Sequence, residues 1–388
     1  MANKWDFVEA ELERREQADQ LRHLREMVPG DGVEVCVDGR TLINFSSNDY
    51  LGLSRHPLVV QRGREFLQNY GAGATASRLI CGTHPGFARV EERLAELKGV
   101  EKALVFNSGF QANASLLGTL ANRHSLVLAD RLNHSSLIEG ARSSGAKVQR
   151  FRHNDLEHLR QLLQESRAQD YSRVLIATES VFSMDGDRSD IETLVQLAQE
   201  FEALLVVDEA HATGVVGPQG MGLTCGKGVD LVVGTFGKAC GSFGAYIACG
   251  ERLWQYIINC CPGFIYTTAL PPAVLGAVDA ALELIPQMQE SREELHRKAD
   301  FVRCRLNQAG WGTGHSTTPI VPVLIGEEDE TLALAQWLET HGVLAVAIRP
   351  PTVPQGQSRL RLTLSVLHSW EHVEHLVELL QEWRGRSA

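Results

Sequence analysis

Six short runs made almost entirely of apolar residues punctuate the chain, at 103–106, 125–129, 174–177, 203–207, 231–233 and 245–249. A strand with water on one face alternates apolar and polar side chains, whereas a continuously apolar run has both faces buried. Runs of that kind separated by helical stretches predict an α/β fold with a mostly parallel central sheet. Such a sheet binds its ligands beyond the carboxyl ends of the strands. In this chain the polar residues of interest lie at those ends.

A chain of 388 residues is long for a single core, and the pattern divides it unequally. Residues 1–50 form an N-terminal arm and small segment, 51–285 the large domain, and 286–388 a smaller C-terminal α+β domain. In the arm, 9–25 reads as a charged helix with a sparse apolar face at Leu12, Leu21 and Leu24. After Pro271-Pro272 a helical region runs to about Asn307, followed by strands near 320–325, 343–348 and 360–364. A last helix starts near Trp370, with Val373, Leu376, Val377, Leu380 and Trp383 on one face.

The formal net charge of -11 gives no basic footprint for nucleic acid, so that partner is excluded. No apolar stretch of about 18 residues occurs, so no membrane span is expected, and the expected compartment is the cytoplasm. The eight cysteines show no Cys-x-x-Cys spacing, and neither disulfides nor a metal site is expected. The adjacent Cys260 and Cys261 read as buried small hydrophobes.

Asp208-Glu209-Ala210-His211 follows one apolar run, and Lys238 follows the next in Gly234-Thr235-Phe236-Gly237-Lys238. The four letters from Asp208 also mark nucleotide-driven helicase motors. Such a motor needs a Gly-x-x-x-x-Gly-Lys-[Ser/Thr] loop upstream, and none occurs. A lysine among small residues, with a carboxylate at a neighbouring strand end, instead suits pyridoxal 5'-phosphate. The amine forms an imine with the aldehyde, and the acid keeps the pyridine nitrogen protonated. His211, three residues on from Asp208, can donate to the cofactor's phenolic oxygen. Ser108-Gly109-Phe110 opens a helix after a strand, presenting free N–H groups to a phosphate, with Thr235 as a further contact. His134 and Ser183 each follow a strand, where His134 can lie flat over a ring and Ser183 can stand beside it. Ser183 reads alternatively as part of a capped turn reversed at Asp185-Gly186.

Taken together, these residues resemble the α-oxoamine synthases of the pyridoxal-phosphate-dependent transferase fold type I over nearly the whole chain. The resemblance is carried by Phe45-Ser46-Ser47-Asn48-Asp49-Tyr50-Leu51-Gly52-Leu53, the segment from Asp208 to Gly214, and Gly234 to Lys238. It implies catalytic roles for Lys238, His134, Asp208 and His211, with Lys238 as the imine lysine and base. It implies that Ser108, Gly109, Phe110, Thr235 and, from a partner subunit, Thr268 hold the phosphate. Asn48 and Arg349 would bind the amino-acid carboxylate, where a planar guanidinium suits a bidentate pair. Arg22, Thr352 and His134 would also touch substrate. The stretch 348–354 and the strand after it resemble the branch that joins L-alanine to a pimeloyl thioester, carried on CoA or on acyl-carrier protein. The alternative within the family is glycine C-acetyltransferase chemistry. A homodimer with shared active sites is implied by the resemblance alone. The chain departs from the family around 73–78, and at Phe87, where many members have histidine.

Overall fold

The computed structural model describes residues 3–386; the outermost two residues of the expected arm and of the expected C-terminal domain lie outside them. The chain divides into two compact units. One holds Asp49–Ser183 and Asp187–Glu293; the other gathers the chain up to Asn48, the three residues Met184–Gly186, and the chain from Glu294 onward.

The larger unit is built on a seven-stranded sheet in the spatial order Lys102–Phe106, Ala245–Cys249, Leu231–Thr235, Leu204–Asp208, Arg173–Glu179, Ser125–Asp130 and Lys147–Phe151. Only Ala245–Cys249 runs against its neighbours; the remaining pairs are parallel. All six apolar runs become strands of this sheet. The seventh, Lys147–Phe151, has only Phe151 fully buried. It is an edge strand with one covered face, so it needs no continuous apolar run and escapes the pattern that finds the others.

The core beneath the sheet joins Leu104, Val127, Leu175, Val206, Val233 and Ile247 to Leu116, Leu117 and Leu120 of the helix Gly109–Leu120. The helices Pro57–Tyr70 and Pro272–Leu284 pack against each other elsewhere in this unit. A Cβ on Gly276 would come 2.4 Å from the Arg62 carbonyl oxygen, so the approach depends on glycine there.

The second unit contains two small sheets. Val28–Pro29, Glu34–Val37, Arg40–Asn44 and Val343–Leu344 form one; Ile320–Gly326, Ser358–Thr363 and Ala347–Ile348 form the other. The single strand expected over 343–348 is therefore two short strands belonging to different sheets. The helix expected over 9–25 is Asp6–Gln17, and it buries no residue. Without a buried stripe nothing extends it, and Asp19 turns the chain out of helical conformation at φ 52°. The closing helix, Trp370–Arg386, buries Val373, Leu376, Val377 and Leu380 as their spacing predicts.

All eight cysteines are free thiols. Cys261 is buried, but Cys260 is exposed, which corrects the reading of the pair as two buried hydrophobes. Cys260 ends the helix Glu251–Cys260 and Cys261 follows it, so the two side chains point in different directions.

His368 lies in the core of the second unit, stacked on Phe45 at 4.1 Å between ring centroids. Its Nδ1 accepts from the Ser365 N–H at 2.9 Å, which leaves Nε2 to donate to the Asn44 carbonyl at 3.2 Å. Burial holds its pKa down to about 3. Between that value and the ordinary histidine range the unfolded chain binds a proton that the folded chain refuses. The stabilisation is therefore complete above pH ~6.5 and lost as the pH falls toward 3. In urea titrations at a series of acid pH values, wild type should lose stability more steeply than His368→Gln; equal slopes would contradict the assignment.

Candidate active site

The carboxyl ends of the parallel strands place the expected cofactor residues on one edge of the sheet. Asp208 ends its strand, Thr235 ends the next with Lys238 three residues beyond, and His134 follows Ser125–Asp130. Ser183 follows Arg173–Glu179, and Ser108 follows Lys102–Phe106. Strand register puts Glu179 and Val233 on either side of Asp208.

Asp208 is buried, with 6% of its surface exposed, and its carboxylate is held at both oxygens. Oδ1 accepts from the Ala210 N–H at 2.8 Å, and Oδ2 from Asn113 Nδ2 at 2.6 Å. Asn113 Nδ2 also donates to Ser136 Oγ at 3.0 Å, and Ser136 Oγ lies 2.8 Å from His134 Nδ1. The Ser136 N–H points at the same ring nitrogen, 3.3 Å away. A backbone N–H can only donate, so Nδ1 is an acceptor and the neutral ring carries its hydrogen on Nε2. Burial of part of the ring agrees, because it lowers the His134 pKa against the pull of Asp208. The chain Asp208–Asn113–Ser136–His134 thus joins the acid to the histidine through groups already committed to one orientation.

Glu179 closes this network from the neighbouring strand. Its Oε1 accepts the His134 backbone N–H at 2.5 Å, and it is 3% exposed. Burial, helped by the charge of Asp208, pushes its pKa up to about 8. His211 Nδ1 meets the Tyr50 hydroxyl at 2.7 Å, both groups being buried. Directly after Asp208, Glu209 is fully buried and takes hydrogen bonds from Lys98 Nζ (2.5 Å), the Thr224 N–H (2.9 Å) and the Thr224 hydroxyl (2.7 Å). Although burial opposes it, the Lys98 pKa is raised by Glu209.

At the other end of the site, Ser108 caps its helix by accepting from the Gln111 N–H at 3.2 Å. Among the described residues nothing takes up the N–H groups of Gly109 or Phe110. A side chain built on Gly109 would meet no atom within 4 Å, so an open cradle lies before two free donors and the positive end of a helix dipole. Thr235 Oγ1 donates to the Gly244 carbonyl at 2.9 Å and accepts from the Gly237 N–H at 3.1 Å, which folds the glycine turn that leads to half-buried Lys238. Thr268 is exposed, and its carbonyl accepts from Asn107 Nδ2 at 2.7 Å, beside Ser108 of the same chain. An open anion cradle, a fixed carboxylate and a lysine on a tight turn fit pyridoxal phosphate.

Apart from His134, the expected substrate residues belong to the second unit. Arg22 donates to the Thr352 hydroxyl at 2.9 Å, and Arg349 donates to the Asp19 carbonyl. These three residues line one cleft of 960 Å³, with Leu21, Leu344 and Ile348 among its apolar walls. Asn48 is not part of that lining; its Oδ1 accepts from Arg361 at 3.1 Å, on the strand Ser358–Thr363.

Phe87, where many members of the resembled family carry histidine, is 1% exposed, with the Arg78 guanidinium 3.8 Å from its ring centroid. Arg78 is held in turn by both oxygens of Glu91, at 2.7 and 3.1 Å. The aromatic ring therefore packs against a paired cation at the end of the unusual stretch 73–78.

Sequence reasoning did not single out Asn113, Ser136, Glu179 or Tyr50. Tyr50 stands inside the segment Phe45 to Leu53 that carries the family resemblance. Asn113 lies one helical turn beyond Gly109, and Glu179 ends a strand whose apolar run stops at Ala177, so neither carries a local signal.

A family model described as aminotransferase class I and II matches residues 40–380, and the chain belongs to that family. More narrowly, it is 56% identical to the putative 8-amino-7-oxononanoate synthase of Desulfosudis oleivorans, over 98% of this chain and 99% of that one. Among solved structures it resembles SPT with a PLP internal aldimine, at TM-score 0.91 and 28% identity, covering 99% and 98% of the two chains. The 8-amino-7-oxononanoate synthase of Francisella tularensis superposes at TM-score 0.77 and 26% identity, over 89% of this chain and 98% of that one.

Removing Asn113 leaves Asp208 with one oxygen unsatisfied. Hydrogen bonds to charged groups contribute about 1.5–3 kcal/mol, so Asn113→Ala should weaken retention of pyridoxal phosphate roughly tenfold or more in equilibrium dialysis. Unchanged retention would count against the network.

Proposed function

We propose that this protein condenses L-alanine with a pimeloyl thioester, on CoA or acyl-carrier protein, releasing the thiol carrier and carbon dioxide. The product is 8-amino-7-oxononanoate, an intermediate of biotin formation. The observation that carries this reading is the full-length 56% identity to a relative named for that reaction, coupled with an intact set of cofactor groups. It favours alanine and pimeloyl over the glycine and acetyl pair.

Bound beside Lys238, pyridoxal phosphate supplies an electron sink for the negative charge that develops at the amino-acid α-carbon. Asp208, fixed at both oxygens, would hold a proton on the ring nitrogen. His211, oriented by the Tyr50 hydroxyl, would donate to the phenolic oxygen. His134, with its ring neutral, would lie against the ring without adding a positive charge that competes with Asp208. The N–H groups of Gly109 and Phe110, with Ser108, Thr235 and, from a partner subunit, Thr268, would anchor the phosphate. Ser183 would stand beside the ring. Lys238 Nζ would take the α-proton from alanine and return a proton to the same carbon after carbon dioxide has left. Asn48 and Arg349 would hold the alanine carboxylate, with Arg22 and Thr352 as further substrate contacts.

No helix among the described residues is long and apolar enough to cross a membrane. A cytoplasmic homodimer whose subunits share their active sites is part of the same proposal.

The purified protein should be yellow and should release free thiol from pimeloyl-CoA in the presence of alanine. Glycine with acetyl-CoA should react much more slowly; the reverse preference would replace this reading with the acetyltransferase one. Lys238→Ala should lose both the visible absorbance and turnover, and retained turnover would refute Lys238 as the base.

A further inference from the structure

His153 stands between two carboxylates with both ring nitrogens engaged. Nδ1 lies 2.9 Å from Asp130 Oδ1, and Nε2 lies 2.8 Å from Asp187 Oδ2. The same carboxylates already accept elsewhere. Asp130 takes the Leu132 N–H at 2.8 Å on Oδ1 and the Asn154 N–H at 2.9 Å on Oδ2. Asp187 Oδ2 takes Asn154 Nδ2 at 2.7 Å, while its buried Oδ1 finds no hydrogen-bond partner. Groups in that acceptor role require a hydrogen on each ring nitrogen, and a ring with both hydrogens is an imidazolium.

The cation joins two segments that matter to the site. Asp130 ends the strand that leads into His134, and the Asn133 side chain ties that loop to the Ala177 carbonyl at 2.8 Å. On the other side, the Asp187 carbonyl accepts from the Phe182 N–H at 3.1 Å, next to Ser183. The Phe182 ring stands edge-on to His153, with centroids 4.4 Å apart. Asn154 adds a neutral link to the Arg188 carbonyl at 3.2 Å, and Ser189 donates to its Oδ1 at 3.0 Å.

We propose that His153 is a positioning residue: a cationic clasp that fixes the His134 loop against the segment bearing Ser183, and so sets the spacing of the two groups expected to flank the cofactor ring. The inference rests on the reading of those two residues given above.

The titratable groups facing the ring are Asp130, at the end of its strand, and Asp187, beyond the turn; Phe182 and Asn154 supply its uncharged surroundings. Burial would lower the pKa of His153, yet hydrogen bonds from the ring to Asp130 and Asp187 prevail and raise it to about 10. The contribution of the protonated ring to stability is therefore complete below pH ~6.5, where even the unfolded ring is protonated, and the clasp itself persists until the pH rises through about 10.

The test uses nitrogen-15 histidine NMR on the full-length protein without added cofactor, together with steady-state kinetics on the cofactor-loaded enzyme. The His153 nitrogens should both show imidazolium shifts at pH 8. His153→Gln, which cannot donate to both carboxylates, should move the His134 resonances. It should also lower kcat about tenfold or more with KM for the thioester little changed, as expected for misplaced groups around a reacting centre. Should that variant fail to fold, Asp187→Asn keeps the histidine and its bond to Asp130. It should lower the His153 titration midpoint and shift His134 in the same direction. A neutral His153 at pH 8 would overturn the proposal. So would variants that fold, leave His134 resonances and kcat unchanged, and lose only thermal stability. If wild type shows the imidazolium and the coupled His134 shifts but no turnover of alanine with pimeloyl-CoA, the reaction assignment fails and the clasp stands.

Discussion

A carboxylate buried at the end of a parallel strand is the costly element around which the larger unit is arranged. Asp208 is tolerated there because both its oxygens accept hydrogen bonds, one from backbone and one from Asn113. A buried carboxylate left without donors would gain proton affinity and take up a proton. Everything nearby serves that fixation. The helix that bears the anion cradle also bears Asn113, and Asn113 bridges to Ser136 and through it to His134. One side chain thus couples the acid, the helix that opens with the anion cradle, and the histidine.

The other buried ionisable groups divide by how their charge is handled. Lys98 keeps its charge by pairing with Glu209, the residue that follows Asp208. His153 keeps a positive charge because two carboxylates face it. His368, with only backbone groups around its nitrogens, remains neutral. Glu179 sits beside Asp208 in the sheet and is pushed toward its neutral form, since burial and a neighbouring negative charge act in the same direction. Of the two adjacent carboxyl groups, Asp208 is the one held at both oxygens by donors.

Much of this was readable along the chain. Six buried strands announced themselves because both faces had to be apolar, and the expected cofactor residues, Thr268 apart, lay at their ends or within four residues beyond them. The edge strand Lys147–Phe151 did not, because one covered face leaves room for lysine, glutamine and arginine. The strand expected over 343–348 split between two sheets, a choice made by its neighbours in space. Asn113, Ser136 and Glu179 were illegible for a related reason. Each is an ordinary polar residue whose importance comes from what another segment places beside it.

The sequence by itself determined the α/β class, the lysine and acid that the proposed chemistry needs, and the glycine turns and helix start that suit an anion, because each depends on short-range pattern. Tertiary structure alone decided which carboxylates meet, which nitrogen of His134 accepts, and that His153 faces two acids at once. Those outcomes depend on register between strands and on packing across residues far apart in sequence, and no local periodicity encodes a distance between two side chains.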